Sequence, residues 1–388
     1  MLIVARPSIS TYLARTLSEL RLPAVLTEEM TIPMRPAIRI LSPSEFSAST
    51  RTAYRSLLLT NSENALSHLY DVIPYDDRVM KARLFKDKVA FRRAIARKFP
   101  AFFFREFTEA EILKVDPLTL PFPVVLKPAV GISSIGVIRV GSAEEWSSAV
   151  TYLLHDLESY RRNYSASVVE GEKLLCETYI EGREFAIDGY FDESGEPVIL
   201  NVLEHLFLNA QDTSDRIYLT HRSLIASLLE PLEKFLREFG EIFDLKRFPF
   251  HLELRQTPSG ELIPIEVNPL RFAGMGTTEI AQYAYGINVY ESFFRQLRPD
   301  WKSLLAREDD SFYVFLCADI PTELFRSPGL QIDDRGFSRE FSEVLEYRIQ
   351  DEQETSTFAV VFFRTPSLDE CRKFLAMDFR RFLTPRTS

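Results

Sequence analysis

No apolar run in the sequence approaches the ~18 residues of a membrane span, and the opening stretch MLIVARPS lacks the basic flank and small-residue cleavage site of a secretory leader. No membrane partner is expected, and the cytoplasm is the expected compartment. Cysteine is scarce. Cys176, Cys317 and Cys371 are odd in number, far apart and set in apolar or helix-like surroundings, which suits reduced core thiols rather than a disulfide frame or a zinc site. The five histidines form no H-E-x-x-H pattern, and no G-x-G-x-x-G follows the first apolar strand. Positive charge is in deficit: the net charge of −10 argues against a nucleic-acid backbone as the main partner, because phosphate neutralisation needs a basic surface. Internal repeats and low-complexity linkers are absent as well.

What is present is ordinary globular material, 46% hydrophobic and 26% charged, in 388 residues, enough for two or three domains sharing one body. The first 75 residues read as a small α/β unit. LIVA is a short strand, Pro7 and Ser8 open a helix marked by Ile9, Leu13, Leu17 and Leu20, and residues 36–41 and 55–60 look like further strands. Such alternation favours a parallel sheet. Between Arg78 and Lys98 nine Lys or Arg residues stand against one Asp, either as a solvated helix face or as a source of lysines for a phosphorylated ligand. Strands are expected at 123–127 and 136–140. A helix begins at a Ser142–Glu145 capping box, and strands return at KLLCETYI, REFAIDGYF and PVILNVLEH. A helix over 222–239 should kink or restart at Pro231. From about residue 301 a new segment adds strands at SFYVFLCADI and TFAVVFF and a closing helix.

The stretch FPFHLELRQTPSGELIPIEVNPLRFAGMG, residues 248–276, keeps polar residues inside apparent strands. Alternation puts Phe250, Leu252 and Leu254 on one face and His251, Glu253 and Arg255 on the other. In the return strand Ile263, Ile265 and Val267 oppose Glu266 and Asn268. A two-residue turn at Pro258-Ser259 or Ser259-Gly260 would bring Glu253 and Glu266 within one pairing step. Two carboxylates that close repel unless a cation lies between them, and two carboxylates with an amide oxygen suit Mg²⁺. A solvent-facing hairpin, or pairing with His251 and Arg255, satisfies the same residues without a metal.

Two more stretches carry chemistry. VVLKPAVGISSIGVIRV sets Lys127 at a strand end before a loop with Gly131, Ser133, Ser134 and Gly136, whose donors suit an anion. The loop is not a Walker A motif, since Val137 and Ile138 stand where Lys and Ser/Thr belong; a plain hairpin turn is the alternative. In LLCETYIEGREFAIDGYF, Glu177 ends an apolar run, Tyr179 and Ile180 offer a flat wall, and Glu184 follows a glycine turn, where it is either a ribose acceptor or an exposed acid.

In this order, over residues 80–290, these stretches resemble the ATP-grasp superfamily, in particular its carboxylate-amine ligases. The resemblance implies an α/β protein, α+β in its catalytic part: a Rossmann-like N-terminal domain over 1–75, an ATP-grasp domain over 76–300 with its nucleotide flap at about 100–180, and a C-terminal α/β extension over 301–388. It implies ATP and Mg²⁺ as cofactors. Lys88 and Lys127 match the phosphate-contacting lysines, with Lys86 a substitute for the first, and Gly131 to Gly136 match the glycine-rich flap. Glu177 and Ile180 correspond to the hinge at the adenine edge, Tyr179 to its wall and Glu184 to the ribose acid; Glu253, Glu266 and Asn268 match the metal ligands. Relatives place an arginine one or two residues after that asparagine. Here Pro269 and Leu270 stand there, so Arg271 or His251 is the candidate to stabilise an acyl-phosphate. The expected reaction activates a small carboxylate with ATP for attack by an amine. A kinase of the same fold and a non-catalytic ATP-binding regulator are the alternatives. His205 and residues 209–222 fall where relatives carry a substrate-covering loop, and the C-terminal segment is expected either to pack on the core or to form a homodimer contact.

Overall fold

The computed structural model describes residues 1–50, 56–129, 136–163, 173–209, 212–307, 309, 311–327, 329–350 and 355–386. The N-terminal sheet is parallel. β1 (Leu2–Val4) lies between β2 (Ala24–Leu26) and β3 (Leu59–Thr60), and the helix Thr11–Glu19 starts where the Ser10 hydroxyl accepts the Leu13 N–H. The strand expected at 36–41 shrinks to a single bridge from Ile40 to Ala24, because Arg35–Ala37 turns as a 3₁₀ helix around Pro36. Of the strand expected at 55–60, Leu59–Thr60 is strand.

The second sheet is antiparallel, with β4 (Phe104–Thr108), β5 (Val124–Pro128), β6 (Ile138–Val140) and β7 (Lys173–Thr178) in the order β4-β7-β5-β6. The helix Trp146–Asn163 covers it with Trp146, Val150, Leu153 and Leu157, forming a cluster separate from the main core. The capping box expected there is replaced: Glu145 accepts the Gly141 N–H at 2.8 Å, and the helix begins at Trp146. Gly136 has φ of 68° and lies so close to Pro128 and Leu153 that a side chain would crowd both, so glycine is required where the loop rejoins the sheet.

The third sheet carries eight antiparallel strands, β8 (Arg183–Phe191), β9 (Pro197–Leu206), β10 (Ile217–Thr220), β11 (Phe248–Gln256), β12 (Leu262–Pro269), β13 (Phe312–Asp319), β15 (Glu343–Ile349) and β16 (Thr357–Thr365). Their order is β12-β11-β8-β9-β10-β13-β16-β15, and β14 (Leu330–Ile332) pairs separately with β17 (Leu383–Pro385). The C-terminal segment thus extends the central sheet. Alternation along β13 sends Tyr313, Phe315 and Cys317 into the main core and Val314, Leu316 and Ala318 into a second cluster with Phe337, Phe341, Phe374 and Phe379. The helix Arg222–Phe243 runs unbroken through Pro231, which lies on its exposed face, where water can take the carbonyl that proline leaves without a donor. The basic stretch forms two helices, Asp77–Lys86 and Lys88–Ile95. Asp87 ends the first and caps the second by accepting the Val89 and Ala90 N–H groups. Among the described residues no helix is long and apolar enough to cross a membrane.

Candidate active site

An open cleft separates the second and third sheets. Its roof is Val125 and Lys127 of β5, Val137 and Arg139 beside and on β6, and Thr178 to Ile180 at the end of β7. Its floor is Glu184 of β8, His205 of β9, Glu253 and Arg255 of β11, and Ile265 and Glu266 of β12, with Lys88 entering from the side. Roof and floor belong to different hydrophobic clusters, so the cleft is a seam between two cores.

The floor owes its polar face to a bulge. The turn is a three-residue loop: Gly260 N–H donates to Thr257 O and Thr257 N–H to Glu261 O, with Gly260 at φ 88°. This corrects the two-residue turn read from the sequence. Continued regularly from Gln256↔Leu262, that register would oppose Glu253 to Ile265; the shift between Glu253 and Leu254 skips Ile265 and sets Glu253 directly opposite Glu266, and His251 opposite Asn268. The expectation that Ile265 shares a face with Val267 is corrected too, because Ile265 lines the cleft beside Glu266 while Val267 is core.

At the lysine end, Lys86 Nζ lies 3.0 Å from Glu266 Oε1, 3.3 Å from Asn268 Oδ1 and 3.1 Å from Glu63 Oε1, and Lys88 Nζ is 3.5 Å from Glu266 Oε2. Burial would raise the Glu266 carboxyl, but Lys88 and Lys86 outweigh it and hold it well below the usual range. Burial pulls the Lys88 ammonium down. Asn268 donates its amide to Glu253 Oε1 at 3.0 Å, so its oxygen faces Lys86 and not Glu253. The acids are therefore compensated within the chain, and among the described residues no three His, Cys, Asp or Glu side chains converge on a metal position. The oxygens of Glu266, Asn268 and Glu63 nevertheless enclose a cation, the Lys86 ammonium, and this donor set has the hard, all-oxygen chemistry that magnesium takes.

Arg271 gives Nε and Nη2 to Glu63 Oε1 at 3.1 and 3.0 Å, beside Lys86. His251 is buried. Its Nδ1 is 2.9 Å from Asp188 Oδ1 and its Nε2 3.5 Å from Glu253 Oε1; burial alone would lower the imidazole, but these acids raise it to about 9. It orients Glu253 and does not line the cleft.

Lys127 Nζ lies 2.6 Å from Glu177 Oε1, and Arg92 donates Nε to Glu177 Oε2 at 2.6 Å. Burial opposes ionisation of Glu177, yet these two cations bring it to about 2. Its carboxylate is thus spent on orienting Lys127, not on a base edge. At the aromatic end, the guanidinium groups of Arg139 and Arg255 lie 4.7 and 4.9 Å from the ring centre of Tyr179, and Arg255 Nη1 donates to Ile180 O at 2.8 Å. Glu184 sits 2.9 Å from both His205 Nδ1 and Arg255 Nε; burial raises its carboxyl, and the two partners more than reverse that. Gly131, Ser133 and Ser134 lie outside the described residues.

Glu63, Arg92, Asp188 and Arg139 were not singled out from the sequence. Arg92 sits inside the basic stretch, and Asp188 is an acid in an apolar strand, so both carried a signal; Glu63, on a helix of the N-terminal unit, carried none. Arg255 pairs with Glu184 and not with the hairpin acids.

A family model described as an ATP-grasp domain matches residues 120–279. No curated protein sequence matches significantly. Among solved structures, an L-amino acid ligase from Bacillus licheniformis aligns over 100% of this chain and 98% of its own, at TM-score 0.64 and 17% identity. An N5-carboxyaminoimidazole ribonucleotide synthetase from Thermotoga maritima aligns over 100% and 99%, at TM-score 0.62 and 14% identity. A biotin carboxylase from Campylobacter jejuni aligns over 99% and 91%, at TM-score 0.62 and 12% identity. At these identities the likeness is one of fold.

Proposed function

Taking the ATP-grasp domain at residues 120–279 as premise, we propose that this chain is an ATP-dependent ligase that activates a small carboxylate as an acyl-phosphate and joins it to an amine. The observation that carries the reading is the pairing across one cleft of roof and side lysines, Lys127 and Lys88, with the opposed floor carboxylates Glu253 and Glu266. A triphosphate needs that arrangement of ammonium groups, and its divalent ions need the carboxylates. Ligases of this fold, such as the L-amino acid ligase and the ribonucleotide synthetase, support the reaction class.

In this reading the substrate carboxylate takes the γ-phosphoryl group, ADP leaves, and an amine then displaces inorganic phosphate from the acyl carbon. Magnesium, when bound by Glu253, Glu266 and Asn268, would neutralise charge on the phosphoryl oxygens. The protein's own part is positioning and electrostatics. Glu177 and Arg92 fix Lys127 towards the phosphates, Tyr179 and Ile180 wall the adenine, and Glu184 faces the ribose. Arg271 lies at the lysine end and is the donor for the acyl-phosphate, while His251 holds Glu253 through its contact with Asp188. Three free, buried cysteines support a cytoplasmic setting.

ADP release in the presence of paired amino acids and small carboxylates tests the reading: turnover must require both an acid and an amine, with phosphate stoichiometric to the amide formed. The compensation of Glu266 by two lysines favours a second reading, a non-catalytic ATP-binding regulator. Nucleotide binding with no turnover on any pair would select it.

A further inference from the structure

Three carboxylates and three cations meet at the lysine end of the cleft. Glu63 arrives from the N-terminal unit, Glu253 and Glu266 from the β11–β12 hairpin; Lys86 and Lys88 flank the helix break at Asp87, and Arg271 follows β12. Lys86, Lys88 and Arg271 match these three carboxylates in charge, and the His251 imidazolium beside Glu253 is matched by Asp188. The Lys86 ammonium has oxygens of Glu63, Glu266 and Asn268 within 3.1, 3.0 and 3.3 Å, from two distant segments of the chain. Arg271 shares the same Glu63 oxygen, and Lys88 takes the other oxygen of Glu266.

We propose that Lys86 is an internal stand-in for the metal: it closes the carboxylate set to a divalent ion that arrives alone and yields Glu266 only when a polyphosphate accompanies the ion. This rests on the reading of the cleft as a metal–nucleotide site. An ion entering by itself would add two positive charges beside three cations already matched, and a poorly solvated charge without a partner is strongly unfavourable. An ion entering with a triphosphate brings acceptors for the ammonium groups, so Lys86 can leave Glu266 without becoming unpaired; Glu63 remains as its second anchor. Metal and nucleotide affinity are then coupled through one side chain, and the coupling is reciprocal.

Mn²⁺ is the probe, read by the electron paramagnetic resonance signal of the free ion with the full chain, alone and with β,γ-imido-ATP, and uptake is the loss of signal beyond that in a protein-free titration of the same analogue, which binds Mn²⁺ itself. Wild type should bind Mn²⁺ weakly alone and about 100-fold more tightly with the analogue. Lys86→Met should bind Mn²⁺ alone roughly tenfold more tightly than wild type, with the coupling reduced by the same factor. Lys86→Gln keeps a donor to Glu63 without the charge, serves if the first variant does not fold, and should behave alike. Variants that bind Mn²⁺ alone no better than wild type, while the analogue still promotes uptake in wild type, overturn the stand-in role and leave the nucleotide site intact. Loss of fold in both variants, marking Lys86 as a structural ion pair, overturns it as well. No uptake by wild type even with the analogue overturns both the role and the site.

Discussion

At the aromatic end of the cleft, Glu184 is held by His205 and Arg255, all three on strands of one sheet. At the lysine end, Glu266 is held by Lys86 and Lys88, which reach in from two short helices. Both acids are compensated, but the strand-mounted trio keeps its geometry, while lysine tips can change partners by rotating a flexible stem. On the proposed reading, the difference separates a preformed wall for the flat ring of a nucleotide from an exchangeable charge set for its polyanion.

The largest effect should come from the exchangeable end. Glu266→Ala is expected to lower turnover at least ~10³-fold while circular dichroism stays that of wild type, because the magnesium that would neutralise the phosphoryl group loses a ligand. Substantial residual activity would remove the metal assignment. The roof anchor comes next. Glu177→Gln strands Arg92 and Lys127 as buried cations and should cost roughly 3–5 kcal/mol in chemical denaturation. Its pH dependence has a definite sign: the folded carboxyl lies at about 2 against 4.5, so its stabilisation is present above 4.5 and lost as pH falls towards 2. Wild type and Glu177→Gln should therefore draw together progressively as pH falls from 4.5 to 2, and a gap that stays constant across that window would deny the ion pair.

Smaller effects separate the two ends directly. Arg255→Leu releases Glu184 and Ile180 O and should weaken adenosine, ADP and the ATP analogue alike, each by roughly tenfold in calorimetry. Lys88→Met should weaken ADP and the analogue but not adenosine. A phosphate-dependent effect of Arg255→Leu would erase the distinction between the ends. Tyr179→Leu keeps an apolar wall and loses two cation–π contacts, so a change of only about two- to fivefold is expected.

Much of this was legible in the sequence, because it depends on local pattern. The alternation in FHLELR sends Phe250, Leu252 and Leu254 into the core and Glu253 and Arg255 to the cleft, and the apolar spacing of Leu13 and Leu17 marks the first helix, although that helix opens at Ser10 and not at Pro7 and Ser8. The bulge at Ile265 was not legible: a three-residue turn and a skipped residue compensate each other, so the even-loop argument reached the right pairing by the wrong route. Neither was the neutralisation of Glu266, since Lys86 is 180 residues away in the chain and Glu63 lies in another sheet unit. The C-terminal strands were visible as strands, but nothing local to β13 says that it pairs with β10 and carries the central sheet onward. Partners distant in sequence leave no periodicity to read.

Whether one cleft holds a triphosphate between roof lysines and floor carboxylates is decided by a crystal structure of the full chain with Mg²⁺ and β,γ-imido-ATP. Phosphates are expected between Lys88, Lys127, Glu253 and Glu266, the base against Tyr179 and Ile180, and Lys86 withdrawn from Glu266. An analogue bound elsewhere, or a cleft left empty with Lys86 still on Glu266, would contradict that arrangement.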